Sequence, residues 1–140
     1  MKIQIIGSMK FAKKMKKLQG ELKKIDHMAS LPFGTEDHLN DPNFVDDLER
    51  NFEYSIENDI LKESFKLVRD AECVLVVNHL RNGMSGYLGT STLMEIGIAH
   101  FLNKKIFILN PIPHFEEARW AHEVMIMKPT IINGDLSKIK

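Results

Sequence analysis

At 140 residues, with 44% hydrophobic and 27% charged side chains and a formal net charge of zero, the chain has the balance of one globular domain spanning residues 1–140. That composition excludes a disordered tail, a collagen-like repeat and a coiled coil, and the absent net charge removes any global electrostatic case for nucleic acid. No apolar run reaches the roughly 20 residues that span a bilayer, the chain opens directly on strand-like sequence, and Cys73 is the only cysteine; a cytoplasmic protein without membrane partners is expected.

Lys2-Ile3-Gln4-Ile5-Ile6 is a β-branched run stopped by Gly7-Ser8, the pattern of a buried strand turning into a helix. From Met9 to about Ile25, apolar residues at Phe11, Met15, Leu18, Leu22 and Ile25 step by three and four, so a helix with one core-facing stripe follows. Seven lysines between residues 10 and 26 give this segment a local charge of +5, and residues 36 to 63, with ten acids, carry −8. Either run is explained by the solvated face of an amphipathic helix; the lysines could also form a phosphate patch. Residues 27 to 33 suit a short second strand closed by Pro32, with a polar loop through Pro42. A long acidic helical stretch, as one helix or two, then runs from about Asn43 to Arg69, with Phe44, Leu48, Phe52, Ile56 and Ile60 at successive four-residue steps.

Cys73-Val74-Leu75-Val76-Val77 is continuous and apolar, as parallel strands covered on both faces are, and belongs at the sheet centre. A glycine-rich loop from Asn78 to Gly89 leads to a helix from about Thr92 to Leu102, then to a strand at Lys105–Leu109. A helix through Glu116 to Met127 and a last strand at 130–132 complete the alternation. Such a pattern predicts a doubly wound α/β domain: a five-stranded parallel sheet of order 2-1-3-4-5 between two helical layers. Ligands in these folds bind outside the carboxyl ends of the strands where the order reverses, which selects the loops at Gly7–Phe11 and Asn78–Glu95.

In the second loop, Gly83, Gly86 and Gly89 permit close backbone approach, and Thr90, Ser91 and Thr92 bring hydroxyls to a helix start with free N–H donors. An anionic or polyhydroxyl ligand suits it. No lysine follows Gly89, so it is not a nucleoside-triphosphate P-loop. Glu95, three residues after Thr92, fits either a capping box, in which it satisfies the cap's backbone N–H, or a reactive carboxylate. After the first strand, Ser8 and the Lys10 ammonium could hold a 5′-phosphate, and Phe11 could stack on a base or pack in the core. His79 lies beside this region, and the six histidines show no metal-ligand spacing, so neither metal nor cofactor is expected.

Gly7-Ser8, Asp70-Ala71-Glu72-Cys73-Val74, Thr92-Leu93-Met94-Glu95-Ile96-Gly97-Ile98-Ala99 and Asn103-Lys104-Lys105-Ile106 resemble the motifs of the nucleoside 2-deoxyribosyltransferase-like superfamily, including its deoxynucleotide N-hydrolase branch. The resemblance spans roughly residues 3 to 110, and its specific part is the glutamate segment. It implies cleavage or transfer at the N-glycosidic bond of a nucleoside or nucleotide, with Glu95 as nucleophile. It implies ligand contacts from Gly7, Ser8, Asn78, Gly86, Gly89 and Thr90–Thr92, and a homodimer, for which Trp120–Met127 is a candidate contact. The family's second carboxylate, an aspartate before the third strand, falls by count on Ser64; Glu63 or Asp59 would supply it after a shift of register. The segment Asn82–Gly89 is longer than the compact loop of those enzymes. A non-catalytic nucleotide-binding module on the same scaffold is the alternative.

Overall fold

The computed structural model describes all residues, 1–140. Five strands, β1 (Lys2–Gly7), β2 (Met28–Ser30), β3 (Cys73–Val77), β4 (Lys105–Ile108) and β5 (Thr130–Ile131), form one parallel sheet of order β2-β1-β3-β4-β5. In-register pairing runs from Ile3 beside Cys73 to Gly7 beside Val77, so β1 and β3 end together at the point where the strand order reverses.

Every residue of β3 is buried, the consequence of helices on both faces of a central strand. One face packs Ile3, Ile5, Leu75, Val77 and Phe107 against Phe11, Met15, Leu18 and Leu22 of the first helical segment and against the C-terminal Ile139. The other packs Ile6, Val74, Val76, Ile106 and Ile108 against Val68, Ile96, Ala99 and Val124. Period-two alternation within each strand divides its side chains between the layers. The polar Gln4 is buried without penalty because its Nε2 donates to Ile5 O at 2.9 Å and its Oε1 accepts from Ser30 Oγ at 2.8 Å.

The helices depart from the periodicity at their ends. A single 3-10 turn, Met9–Phe11, precedes α1 (Ala12–Lys24), and Ser8 Oγ accepts the Lys10 N–H at 3.2 Å to start it. β2 stops at Ser30, three residues short of the apolar run, since Pro32 has no N–H for the ladder. The polar stretch beyond it holds a short helix, α2 (Thr35–Asn40), entered through Gly34 at φ +81°. The long acidic stretch is two helices, α3 (Leu48–Glu57) and α4 (Ile60–Asp70), separated at Asp59, whose φ of +45° leaves the helical region. α5 runs from Thr90 to Phe101. The late helix, α6, is only Trp120–Ile126, with turns over residues 115–117 in place of its expected first turn.

α3 is unusual. None of its residues is buried, and its apolar Leu48, Phe52 and Ile56 are each at least 65% exposed. No helix is long and apolar enough to cross a membrane.

Candidate functional site

Where β1 and β3 end, the chain leaves a cavity of 340 Å³. Its floor is Gly7 and Ser8; one side is Gly89–Thr92 and Glu95 of α5; the other is formed by Leu48, Asn51 and Ser55 of α3 with Ile60, Leu61 and Ser64 of α4. Pro32, Phe33 and His38 close it from the β2 side, and Arg81 and Tyr87 from the loop after β3. Gly7 is required here because a Cβ would lie 2.8 Å from Val77 O of the neighbouring strand.

Glu95 is the only acid in this wall. It is 8% exposed, and no hydrogen bond or ion pair holds its carboxylate; burial alone pushes its pKa up to about 7. The capping-box alternative fails for a geometric reason. α5 begins at Thr90 with Gly89 as its cap and no side-chain cap bond, so Thr92 and Glu95 both lie inside the helix rather than at its start. The first α-helical bond runs from Leu93 N–H to Gly89 O at 3.0 Å, leaving the N–H groups of Thr90, Ser91 and Thr92 without intrahelical partners at the cavity edge.

The other expected residues separate into two groups. Gly7, Ser8, Gly89, Thr90, Ser91 and Thr92 line the cavity with Glu95. Asp59 and Glu63 are not in its wall: each sits in an exposed ion pair one turn along its own helix, with Lys62 at 3.2 Å and Lys66 at 3.0 Å. Ser64, next to Glu63, does line the cavity. Lys10 is turned outward to Asp46, Nζ to Oδ2 2.9 Å. Phe11 is 4% exposed in the core, edge-on to His79 with ring centroids 5.4 Å apart. His79 faces a different hollow, with Lys14 and Lys17, and burial lowers its pKa.

Asn78 is fully buried and shapes the loop rather than the cavity surface. Its Nδ2 donates to Asn110 O at 2.8 Å, its Oδ1 accepts the Asn110 N–H at 2.9 Å, and its own carbonyl accepts from Asn110 Nδ2 at 3.1 Å. The clasp locks the carboxyl ends of β3 and β4 together. Gly86, at φ +73°, packs directly on Pro111 O, where a Cβ would collide.

His38 and Arg81 are cavity residues that carried no assignment from the sequence. His38 is 5% exposed, its Nδ1 buried without a partner; burial lowers its pKa against the opposing pull of Asp37 and Asp41. It comes from the stretch expected to be loop, so nothing in the periodicity pointed to it. Arg81 donates from Nη1 to Ser8 Oγ at 2.5 Å and from Nη2 to Asp46 Oδ1 at 3.2 Å, with its guanidinium 5.3 Å from the Tyr87 ring centre. As the sole Lys or Arg between Asn78 and Glu95, it offered a signal that glycine spacing obscured.

A larger hollow of 560 Å³ follows α1 and β2, lined by Lys2, Lys16, Lys23 and His27. It holds no buried titratable group, unlike the smaller cavity at the strand ends. No three His, Cys, Asp or Glu side chains come together as a metal centre would require. Scans against protein-family models and against curated proteins found no match to this chain.

Proposed function

We propose that this protein cleaves or transfers at the N-glycosidic bond of a (deoxy)nucleoside or nucleotide, with Glu95 as the nucleophile. The observation that carries the reading is the unpartnered carboxylate of the buried residue Glu95 in the wall of a ligand-sized cavity, at the reversal point of the sheet. A carboxylate placed opposite C1′ attacks that carbon as the C1′–N bond breaks, and the bonding pair leaves with the base, which takes a proton from solvent water. Water, or the nitrogen of a second base, then attacks C1′ and releases Glu95 as its carboxylate. Positive charge developing on the sugar favours the ionised form in a site where desolvation otherwise disfavours it.

Base release from a panel of nucleosides and nucleotides, followed by chromatography, tests this directly. Glu95→Ala is expected to abolish release while the protein stays folded; a wild type that turns over no member of the panel refutes the enzyme.

One observation favours the alternative of a non-catalytic nucleotide-binding module. Glu95 has no acidic companion in the cavity, because Asp59 and Glu63 lie outside it and the position between them and β3 carries the hydroxyl of Ser64. Ligand-dependent thermal stabilisation without product marks that reading. The homodimer implied by the resemblance, and the cytoplasmic location expected from the sequence, belong to the same proposal; on the candidate contact, Met125 and Ile126 are 49% and 59% exposed.

A further inference from the structure

We propose that His38 is the base that activates water in the second half of the reaction, which makes the protein a hydrolase rather than a transferase. The inference rests on the N-glycosidic reading of Glu95 and assigns that site its acceptor.

Elimination within the cavity wall singles out His38. Four of the lining side chains titrate: His38, Arg81, Tyr87 and Glu95. An arginine stays protonated, a tyrosine gives up its proton only near pH 10, and Glu95 is bonded to the sugar once the first half is complete. Asp59 and Glu63, expected as the second carboxylate, sit outside the wall in exposed pairs with Lys62 and Lys66. An imidazole is then the one group left that takes a proton from water near neutral pH.

The ring is prepared for that use. His38 is 5% exposed, and its side chain makes no hydrogen bond; Nδ1 is sealed away without a partner, whereas Nε2 is not sealed and can meet a molecule in the cavity. A buried ring without partners is uncommon in a folded protein and marks a group kept free for another task. The Phe44 ring, its centroid 4.8 Å away and its plane tilted by 30°, holds the imidazole in place without engaging either nitrogen. Burial keeps the imidazole neutral, the form that accepts a proton, while Asp37 and Asp41 favour the imidazolium that results.

Position fits the stereochemistry. The sheet order sets β1 between β2 and β3, so His38 on the β2 side and Glu95 on the helix after β3 are separated by the floor of Gly7 and Ser8. Two strand spacings, about 10 Å, leave room for a sugar between them. Displacement at C1′ by Glu95 expels the base on the face away from Glu95, and water enters on that vacated face. The water oxygen bonds to C1′ while its proton passes to His38 Nε2. The C1′–O bond to Glu95 breaks, its electron pair returns to Glu95 as the carboxylate, and the imidazolium releases its proton to solvent.

Rapid-mixing kinetics of base release, with a nucleoside or nucleotide that the wild type turns over, tests the assignment through His38→Gln. Steady-state release is expected to fall about 100- to 10,000-fold, the range for a lost general base, while one equivalent of base per protein still appears in a burst. The stalled protein should carry one sugar by intact mass. Azide, an anion with no proton to lose, should restore turnover of the variant with glycosyl azide as product, a rescue that a misfolded protein would not show. Should His38→Gln fail to fold, wild type labelled with 15N-histidine carries the test: saturation with ribose is expected to shift the Nε2 resonance of His38 more than its Nδ1 resonance, and no shift of either overturns the proposal. Steady-state turnover by folded His38→Gln equal to wild type, loss of its burst together with its turnover, or a wild type that transfers the sugar to a second base but not to water, overturns the role of His38 and leaves the glycosidic reading standing. A wild type that releases no base refutes that reading, and this inference with it.

Discussion

Replacing Glu95 by glutamine isolates the cost of keeping a carboxyl group in the cavity wall. In the unfolded chain this group loses its proton near pH 4.5, whereas burial in the folded chain delays the loss to about pH 7. Between those values the folded state holds a proton that the unfolded state has released, so stability falls as pH rises through the window and is level on either side. At about 1.4 kcal/mol per pH unit, the difference amounts to about 3 kcal/mol. The side chain is 8% exposed, so solvent screening removes little of it. Glutamine has the same shape and no proton to lose. Glu95→Gln should therefore match wild type up to a constant offset at pH 4 and gain about 3 kcal/mol on it by pH 8, equivalent to about 10 °C in Tm for a domain of this size. Urea denaturation of both proteins across that range gives the difference curve directly, and the groups common to both proteins cancel. A difference that does not change from pH 4 to pH 8 would show the carboxylate to be solvated or paired, and would remove the physical basis for treating it as poised for reaction.

The same ionisation should govern turnover: kcat/KM for base release is expected to rise with pH to a plateau, with its midpoint near 7, and a midpoint near 4.5 would contradict the burial of the nucleophile. Asn78→Ala strips two partners from the Asn110 backbone and is expected to cost about 2 kcal/mol in chemical denaturation; a neutral effect would show the clasp to be dispensable. Gly86→Ala forces a Cβ onto Pro111 O at a positive φ, with an expected loss of about 1–3 kcal/mol by the same measurement. Phe52→Ser, at an exposed apolar residue of α3, should alter the stability of the monomer by less than about 0.5 kcal/mol. A larger loss in Phe52→Ser that grows with protein concentration would reveal a second molecule covering that face.

Strand identity and order were legible because they rest on short-range rules. Continuous apolar runs such as Cys73–Val77 mark strands buried on both faces, and a right-handed crossover between parallel strands leaves few ways to order them. The reversal point followed from that order, and with it the neighbourhood of Gly7, Ser8 and Glu95. Helix ends were less legible. The four-residue period ran unbroken from Phe44 to Ile60, yet Asp59 turns the chain out of the helix, and α3 leaves its apolar residues exposed. Periodicity reports that a stripe exists; it carries no record of what the stripe faces.

The sequence by itself thus determined the sheet, its centre and the loops at its carboxyl edge, since these depend on hydrophobic period and on glycine at close approaches. Tertiary structure alone decided which side chains share the cavity. Thr92 and Glu95 have the spacing of a capping box, and only the placement of Gly89 at the helix start frees Glu95 from that role. Asp59 and Glu63 have suitable chemistry on the wrong faces of α4, while His38 and Arg81 arrive from segments 57 and 14 residues before Glu95 in the chain. Contacts between such distant residues arise from the packing of whole elements, and a local pattern does not encode them.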